Sequence, residues 1–153
     1  MKVLLAFEER GLAEGVIDDI KAQISDVETL ITTNFWQALD ILTTQDINWL
    51  IATTMLPTID KRNKGAEHVN SRSGGLTLLE RAARQRPQVG RILWQTDPDD
   101  AFHTKDKIQA LEQDGVTKLP YEEMFESYNP IDRIIETLTR PLAEATEAVV
   151  PKP

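Results

Sequence analysis

The sequence predicts a doubly wound α/β domain, in which helices cover both faces of one parallel sheet. Apolar runs alternate five times with segments of helical periodicity, which is the pattern of successive β-α units. The run INWLIATTML is almost continuously apolar, as expected for a central parallel strand that is buried on both faces. The length of 153 residues is that of one ordinary domain, which is large enough to bury a core without disulfides or metals.

The first two β-α units each combine an apolar run with a helical repeat. KVLLAF and VETLIT are the strand candidates. Apolar residues at i+4 spacing predict the buried face of the first helix: Leu12, Val16, Ile20 and Ile24. Asn34 suits the N-cap of the second helix. The apolar face expected for that helix holds Phe35, Ala38, Leu39 and Leu42.

The second half of the chain continues the alternation. After the third strand, SGGLTLLERAARQ predicts a helix from about Leu76 and GRILWQT a fourth strand. A weaker amphipathic helix is expected over Asp99 to Gln113, followed by a short strand in GVTKLP. Asn129 and Pro130 suit the start of the last helix. Its apolar positions are Ile131, Ile134, Ile135 and Leu138. These elements favour a flavodoxin-like sheet with the strand order 2-1-3-4-5.

The composition excludes several classes of function. Cysteine is absent, so the chain has no disulfide framework, thiolate metal site or cysteine nucleophile, and we expect a cytoplasmic protein. The formal charge of -8 argues against nucleic-acid binding over the whole surface. The apolar run of MKVLLAFEERG is too short for a signal peptide or a membrane span. His68 and His103 are far apart in sequence, and we predict no metal site and no cofactor.

Segments at the predicted strand ends and in the third helix, taken in order, resemble the receiver domain of two-component response regulators. These segments are LLAFEE, IATTMLP, GGLTLLERA, ILWQTDPDDA and GVTKLPY. The resemblance covers residues 1–140 and leaves 141–153 as a C-terminal tail. It implies a signalling module that takes a phosphoryl group on an aspartate. Two acidic residues that hold Mg²⁺, a Ser or Thr and a Lys complete the receiver site.

At only two of the five receiver-site positions does this sequence carry the residue type that receivers have. In chain order the positions are Phe7, Glu8, Thr53, Thr96 and Leu119. Thr53 stands where the aspartate would form an acyl phosphate, and Phe7 stands where a carboxylate would bind metal. Lys118 precedes Leu119, so its side chain is expected on the opposite face of the strand. The resemblance therefore indicates a pseudo-receiver that is not an enzyme and is not phosphorylated on aspartate.

The segment from about residue 58 to 74 is much longer than the corresponding link in receivers. It carries Lys61, Arg62, Lys64, His68 and Arg72 within an otherwise acidic chain. Long loops in compact domains often bind partners, so one interpretation is a recognition loop for an acidic protein surface or another anion. The other interpretation is a solvated insertion without a binding role.

Two hypotheses of function follow. The first is an interaction or regulatory module with a protein partner, and the resemblance adds a homodimer through the fourth and fifth helices and the fifth strand. The alternative is a small-molecule or nucleotide sensor whose vacated pocket is lined by Glu8, Thr53 and Thr96. The same threonines, together with Thr54, would otherwise satisfy nearby backbone groups. No catalytic partner or cofactor motif supports an enzyme.

Overall fold

Five parallel strands form one sheet in the order β2-β1-β3-β4-β5, as predicted. The computed structural model describes residues 1–59, 69–95, 104–119 and 130–139. The strands are β1 (Lys2–Ala6), β2 (Glu28–Thr32), β3 (Trp49–Thr53), β4 (Gly90–Trp94) and β5 (Thr117–Leu119). All five residues of β3 are buried, which agrees with its continuous apolar sequence and its central place in the sheet.

Helices cover both faces of this sheet. They are α1 (Arg10–Gln23), α2 (Phe35–Thr44), α3 (Gly74–Gln85), α4 (Thr104–Gln113) and α5 (Pro130–Thr139). One core contains Val3 and Leu5 of β1 with residues of α1 and α5. The other contains Leu4 and Ala6 with residues of α2, α3 and α4. The alternation along β1 therefore separates the two cores, because successive side chains of a strand point to opposite faces.

The helical faces agree with the predictions except at Leu12. Ile108 and Leu111 of α4 are buried, while Leu12 is 38% exposed. The i+4 spacing placed Leu12 on the buried face of α1, and this was wrong. The buried face is centred on Ala13, and Leu12 lies at its margin because each helical residue turns about 100° from the last.

Helix α3 begins at Gly74, earlier than the expected start near Leu76, after a 3-10 turn over Ser71–Ser73. A Cβ at Gly75 would overlap the carbonyl oxygen of Thr53, and the Gly75 N–H donates to the Thr54 carbonyl at 3.1 Å. The first turn of α3 thus lies directly against the carboxyl end of β3. Only glycine permits an approach this close.

Three expected features lie outside the described residues: positions 99–103 of the fourth helix, the Asn129 cap and the tail 141–153. Within the ranges that the structure describes, no helix combines the length and the apolar composition needed to cross a membrane.

Candidate functional site

The candidate site lies at the carboxyl end of β3, where Thr53 ends the central strand. The Thr53 side chain is 0% exposed. Its hydroxyl donates to the Met55 carbonyl at 2.7 Å and accepts from the Glu8 N–H at 3.0 Å. The single hydroxyl proton is therefore committed to the backbone, and the oxygen already has a donor. The Thr53 hydroxyl thus bonds to local backbone groups, whereas the buried Thr54 hydroxyl has no hydrogen-bond partner among the described residues.

Phe7 follows β1 and fills the space beside Thr53 with an aromatic ring. It is 0% exposed, and its N–H continues the strand pairing by donating to the Thr32 carbonyl at 3.0 Å. Its ring meets that of Trp94 edge to face, with centroids 5.6 Å apart and planes at 77°. This is a favourable geometry for two buried rings. Two hydrophobic rings thus occupy one side of the strand ends, while the next residue, Glu8, is half-buried.

The pairing register aligns the site residues of three strands. Thr53 pairs with Trp94, and Trp94 pairs with Leu119. Trp94 therefore lies between Thr53 and Leu119, the positions at which the resemblance leads us to expect an aspartate and a lysine. The neighbouring Lys118 approaches Glu112 of α4 at 3.7 Å.

The segment 57–59 leaves the site and forms the outgoing half of a structure that we call the neck, Pro57–Ile59 with Val69–Ser71. Thr58 Oγ1 donates to the Val69 carbonyl at 2.7 Å and lies 2.9 Å from Ser71 Oγ. The Thr58 N–H donates to Ser71 Oγ at 3.2 Å. The neck closes the base of the segment 60–68, which itself lies outside the described residues.

The N-terminus of α2 holds the neck in place through three consecutive residues. The Phe35 N–H donates to the Pro57 carbonyl at 2.8 Å, and Trp36 Nε1 donates to the Thr58 carbonyl at 2.8 Å. Asn34 Nδ2 donates to the Ile59 carbonyl at 2.9 Å. The carbonyls of three successive neck residues are therefore satisfied by α2, which fixes where the insertion leaves the domain.

Asn34 also caps α2, as predicted, and we expect its replacement to separate its two roles. Its Oδ1 accepts from the Trp36 and Gln37 N–H groups at 2.9 and 3.2 Å. Asn34→Ala removes the cap and the neck contact, and it should lower the free energy of unfolding by about 1–2 kcal/mol. Asn34→Asp keeps the cap and loses only the donation to Ile59, so a smaller loss is expected in urea unfolding. Equal losses in both variants would contradict a contribution from the cap.

The described residues contain no group of three or more His, Asp or Glu side chains that could hold a metal ion. Glu8 and Glu9 are the acidic residues nearest the end of β1 in sequence, and Glu9 is exposed. Mg²⁺ binding would require oxygen ligands beyond the half-buried Glu8.

Comparison with known proteins identifies the fold. No protein-family model matches the sequence, and a search of curated proteins found no match. Among solved structures, the CheY-like receiver domain protein from Methanospirillum hungatei JF-1 has a TM-score of 0.66 and 15% identity, over 96% of this chain and 97% of that chain. The signal receiver domain of an HD domain-containing protein from Pseudomonas fluorescens Pf-5 has a TM-score of 0.66 and 18% identity, over 95% and 97%.

A third similar structure is that of RcsB from Salmonella enterica serovar Typhimurium, solved bound to the promoter rprA in the presence of the phosphomimetic BeF3-. Its TM-score is 0.56 and its identity is 19%, over 100% of this chain and 70% of that chain. The chain has the receiver-domain fold. At these identities the likeness is one of fold, so the chemistry of the site must be argued from its own residues.

The structure describes only part of the receiver-like constellation. It brings Phe7, Glu8 and Thr53 together, whereas Thr96 lies outside the described residues and only the backbone pairing of Leu119 is described. Of the predicted recognition residues, Arg72 is exposed beside the neck. The others lie outside the described residues: Lys61, Arg62, Lys64 and His68.

Sequence reasoning missed two features of the receiver-fold site. The pairing of Trp94 with Phe7 was not foreseen. The contacts of Asn34 and Trp36 with the neck were also missed. The topology offered a signal for the second feature, because β3 ends and α2 begins at the same edge of a doubly wound sheet.

Proposed function

We propose that this chain is a pseudo-receiver: a regulatory module of the receiver fold that acts through protein contacts and is not phosphorylated on aspartate. The observation that carries the proposal is the state of Thr53. The residue at the phosphoacceptor position has no carboxylate, is 0% exposed, and has its hydroxyl bonded to Met55 and Glu8. A hydroxyl held in this way is not available to attack a phosphoryl donor.

The rings beside Thr53 support the same proposal. Phosphoryl transfer requires a metal and cations to neutralise charge on the transferred group. Here Phe7 occupies the position of one metal ligand, is fully buried and contacts Trp94. A hydrated Mg²⁺ ion would have to displace a buried aromatic pair. The arrangement therefore opposes both metal binding and phosphoryl transfer at this end of the sheet.

The geometry favours an interaction module over a ligand sensor. A sensor that used the vacated pocket would need the Thr53 hydroxyl to face its ligand, but this side chain is fully buried and hydrogen-bonded to the backbone. Surface contacts carry no such requirement. We propose a cytoplasmic protein partner that binds through such surface contacts.

We further propose that the segment 60–68 is a recognition loop for an acidic surface. Its sequence carries Lys61, Arg62 and Lys64, with Arg72 exposed beside the neck. The neck supports this proposal because α2 holds its outgoing half and Thr58 holds its returning half. A fixed base lowers the entropic cost of presenting a loop to a partner.

Incubation with acetyl phosphate and Mg²⁺ tests the absence of phosphorylation. We expect the intact mass of the protein to stay unchanged, because no carboxylate stands at the Thr53 position. A receiver that retains its aspartate, treated in parallel, should gain one phosphoryl group. An acid-stable or acid-labile phosphoryl adduct on this chain, mapped to residues near Thr53 or Glu8, would overturn the proposal.

A further inference from the structure

The charges of the protein are divided between the two faces of the sheet. From Val69 to Val89, the segment that includes α3, there are four arginines and one acidic residue, Glu80. From Glu8 to Glu28, the segment that includes α1, there are seven acidic residues and two basic ones. Helices α1 and α3 pack on opposite faces of the sheet. The molecule therefore carries a basic region on one face and an acidic region on the other.

The basic region is continuous with the neck, and we call it the arginine surface: Trp36, Ile59, Arg72, Arg81 and Arg84. The Arg81 guanidinium lies over the rings of Phe35 and Trp36, at 5.4 and 5.9 Å from their centroids. Trp36 in turn holds the neck through Thr58. Arg84 lies three residues after Arg81, on the same side of α3.

Two members of the arginine surface are available to an approaching molecule. Arg72 and Arg84 are exposed, and neither side chain forms an ion pair with another described residue. Ile59 is 78% exposed. The counter-charges on α2 and α3 are Asp40 and Glu80. The surface thus carries two exposed arginines and one exposed apolar side chain, and arginine is enriched at protein interfaces.

The outer face of α1 has the opposite charge and its own apolar residue. Leu12 and Asp19 lie two turns apart on one side of the helix, and Asp18 adjoins Asp19. Both aspartates are exposed, and neither forms an ion pair within the described ranges. Leu12 is 38% exposed. We call these three residues the acidic surface, which matches the arginine surface in charge and in carrying one exposed apolar residue.

We propose that the arginine surface binds the acidic surface of a second copy of this chain. Within one molecule the two surfaces cannot meet, because the sheet separates them. After a single contact between two molecules, one copy keeps a free arginine surface and the other keeps a free acidic surface. Such a head-to-tail contact forms open chains unless it closes into a ring. This proposal is independent of phosphorylation and uses a different face from the α4-β5-α5 dimer.

Sedimentation velocity of the whole chain at rising concentration tests the proposal. At about 0.1 M salt, where the Debye length is about 10 Å, we expect the weight-average sedimentation coefficient to rise with concentration. At about 1 M salt, where that length is about 3 Å, contacts between charges weaken, and the apparent association constant should fall at least tenfold. A protein that stays monomeric at high concentration in 0.1 M salt would overturn the proposal.

Two charge-reversed variants identify the surfaces. Arg72→Glu/Arg84→Glu and Asp18→Lys/Asp19→Lys should each abolish self-association while keeping native circular dichroism. Their equimolar mixture should associate again, since each variant retains the surface that the other has lost and the two reversed surfaces are also opposite in charge. That rescue also shows that both variants fold.

Charge-matched controls on α4 and α5 separate the contact from the effect of net charge. Lys107→Glu/Arg133→Glu changes the net charge as much as the arginine reversal, and Asp106→Lys/Glu136→Lys changes it as much as the aspartate reversal. All four control residues are exposed, and both controls should associate as the unmodified protein does. Loss of association in the controls alone, or no association in the mixture, would assign self-association to another face.

Discussion

Phe7→Asp is expected to destabilise the domain by more than about 3 kcal/mol rather than to restore a metal site. Aspartate is the residue type that receivers carry at this position, but here the side chain is 0% exposed and contacts the Trp94 ring. The variant loses that contact and buries a carboxyl group. Burial raises the pKa of such a carboxyl, so the destabilisation should be smaller at acidic pH, where the group is neutral.

Phe7→Leu is the matched control, because it keeps an apolar side chain and should cost less than Phe7→Asp. Urea unfolding of both variants, with and without Mg²⁺, measures the difference. Suppose instead that Phe7→Asp is as stable as the unmodified protein and gains stability from Mg²⁺. The Phe7 ring would then not be needed for stability, and an intact metal site would lie beside it. The Phe7 ring would then not be what keeps metal from this end of the sheet.

Gly75→Ala and Gly15→Ala are expected to change stability in opposite directions. A Cβ at Gly75 would overlap the Thr53 carbonyl oxygen, and neither the strand nor the start of α3 can move without losing contacts. We expect a loss of about 3 kcal/mol, at the upper end of the range for overpacking. At Gly15, inside α1, no atom lies within 4 Å of the position that a Cβ would take, and alanine should stabilise the helix by up to about 1 kcal/mol.

The pair tests how closely α3 approaches the candidate site. Thermal and urea unfolding of the two variants gives the sign of each change in the free energy of unfolding. Because both variants replace glycine by alanine, each serves as the control for the other. A Gly75→Ala protein as stable as the Gly15→Ala protein would mean that α3 does not lie in close contact with β3, and Thr53 would then be less enclosed.

The sheet could be predicted from the sequence because its determinants are local and repeated. The apolar run through β3 indicated a strand buried on both faces, and Asn34 indicated a helix start through its capping chemistry. Which residues of α1 face the sheet was harder to predict. Its i+4 repeat fits several faces, and only packing against β2 and α5 decides that Ala13 is buried while Leu12 is exposed.

The contacts of the candidate site were beyond sequence reasoning for a different reason. The loss of the aspartate at Thr53 was visible in the resemblance, whereas the pairing of Phe7 with Trp94 joins the carboxyl ends of two strands that are not adjacent. Likewise, Trp36 reaches Thr58 across the edge of the sheet. Such contacts follow from three-dimensional placement and leave no periodic pattern.

The most direct test of the central claim is an amide spectrum of the ¹⁵N-labelled protein during titration with Mg²⁺ and BeF3-. We expect the signals of Phe7, Glu8 and Thr53 to stay in place, because the hydroxyl of Thr53 is bonded to the backbone and no aspartate is present to bind the phosphoryl mimic. Saturable shifts centred on these three residues would contradict the claim, since they would show that this end of the sheet still binds metal and a phosphoryl group.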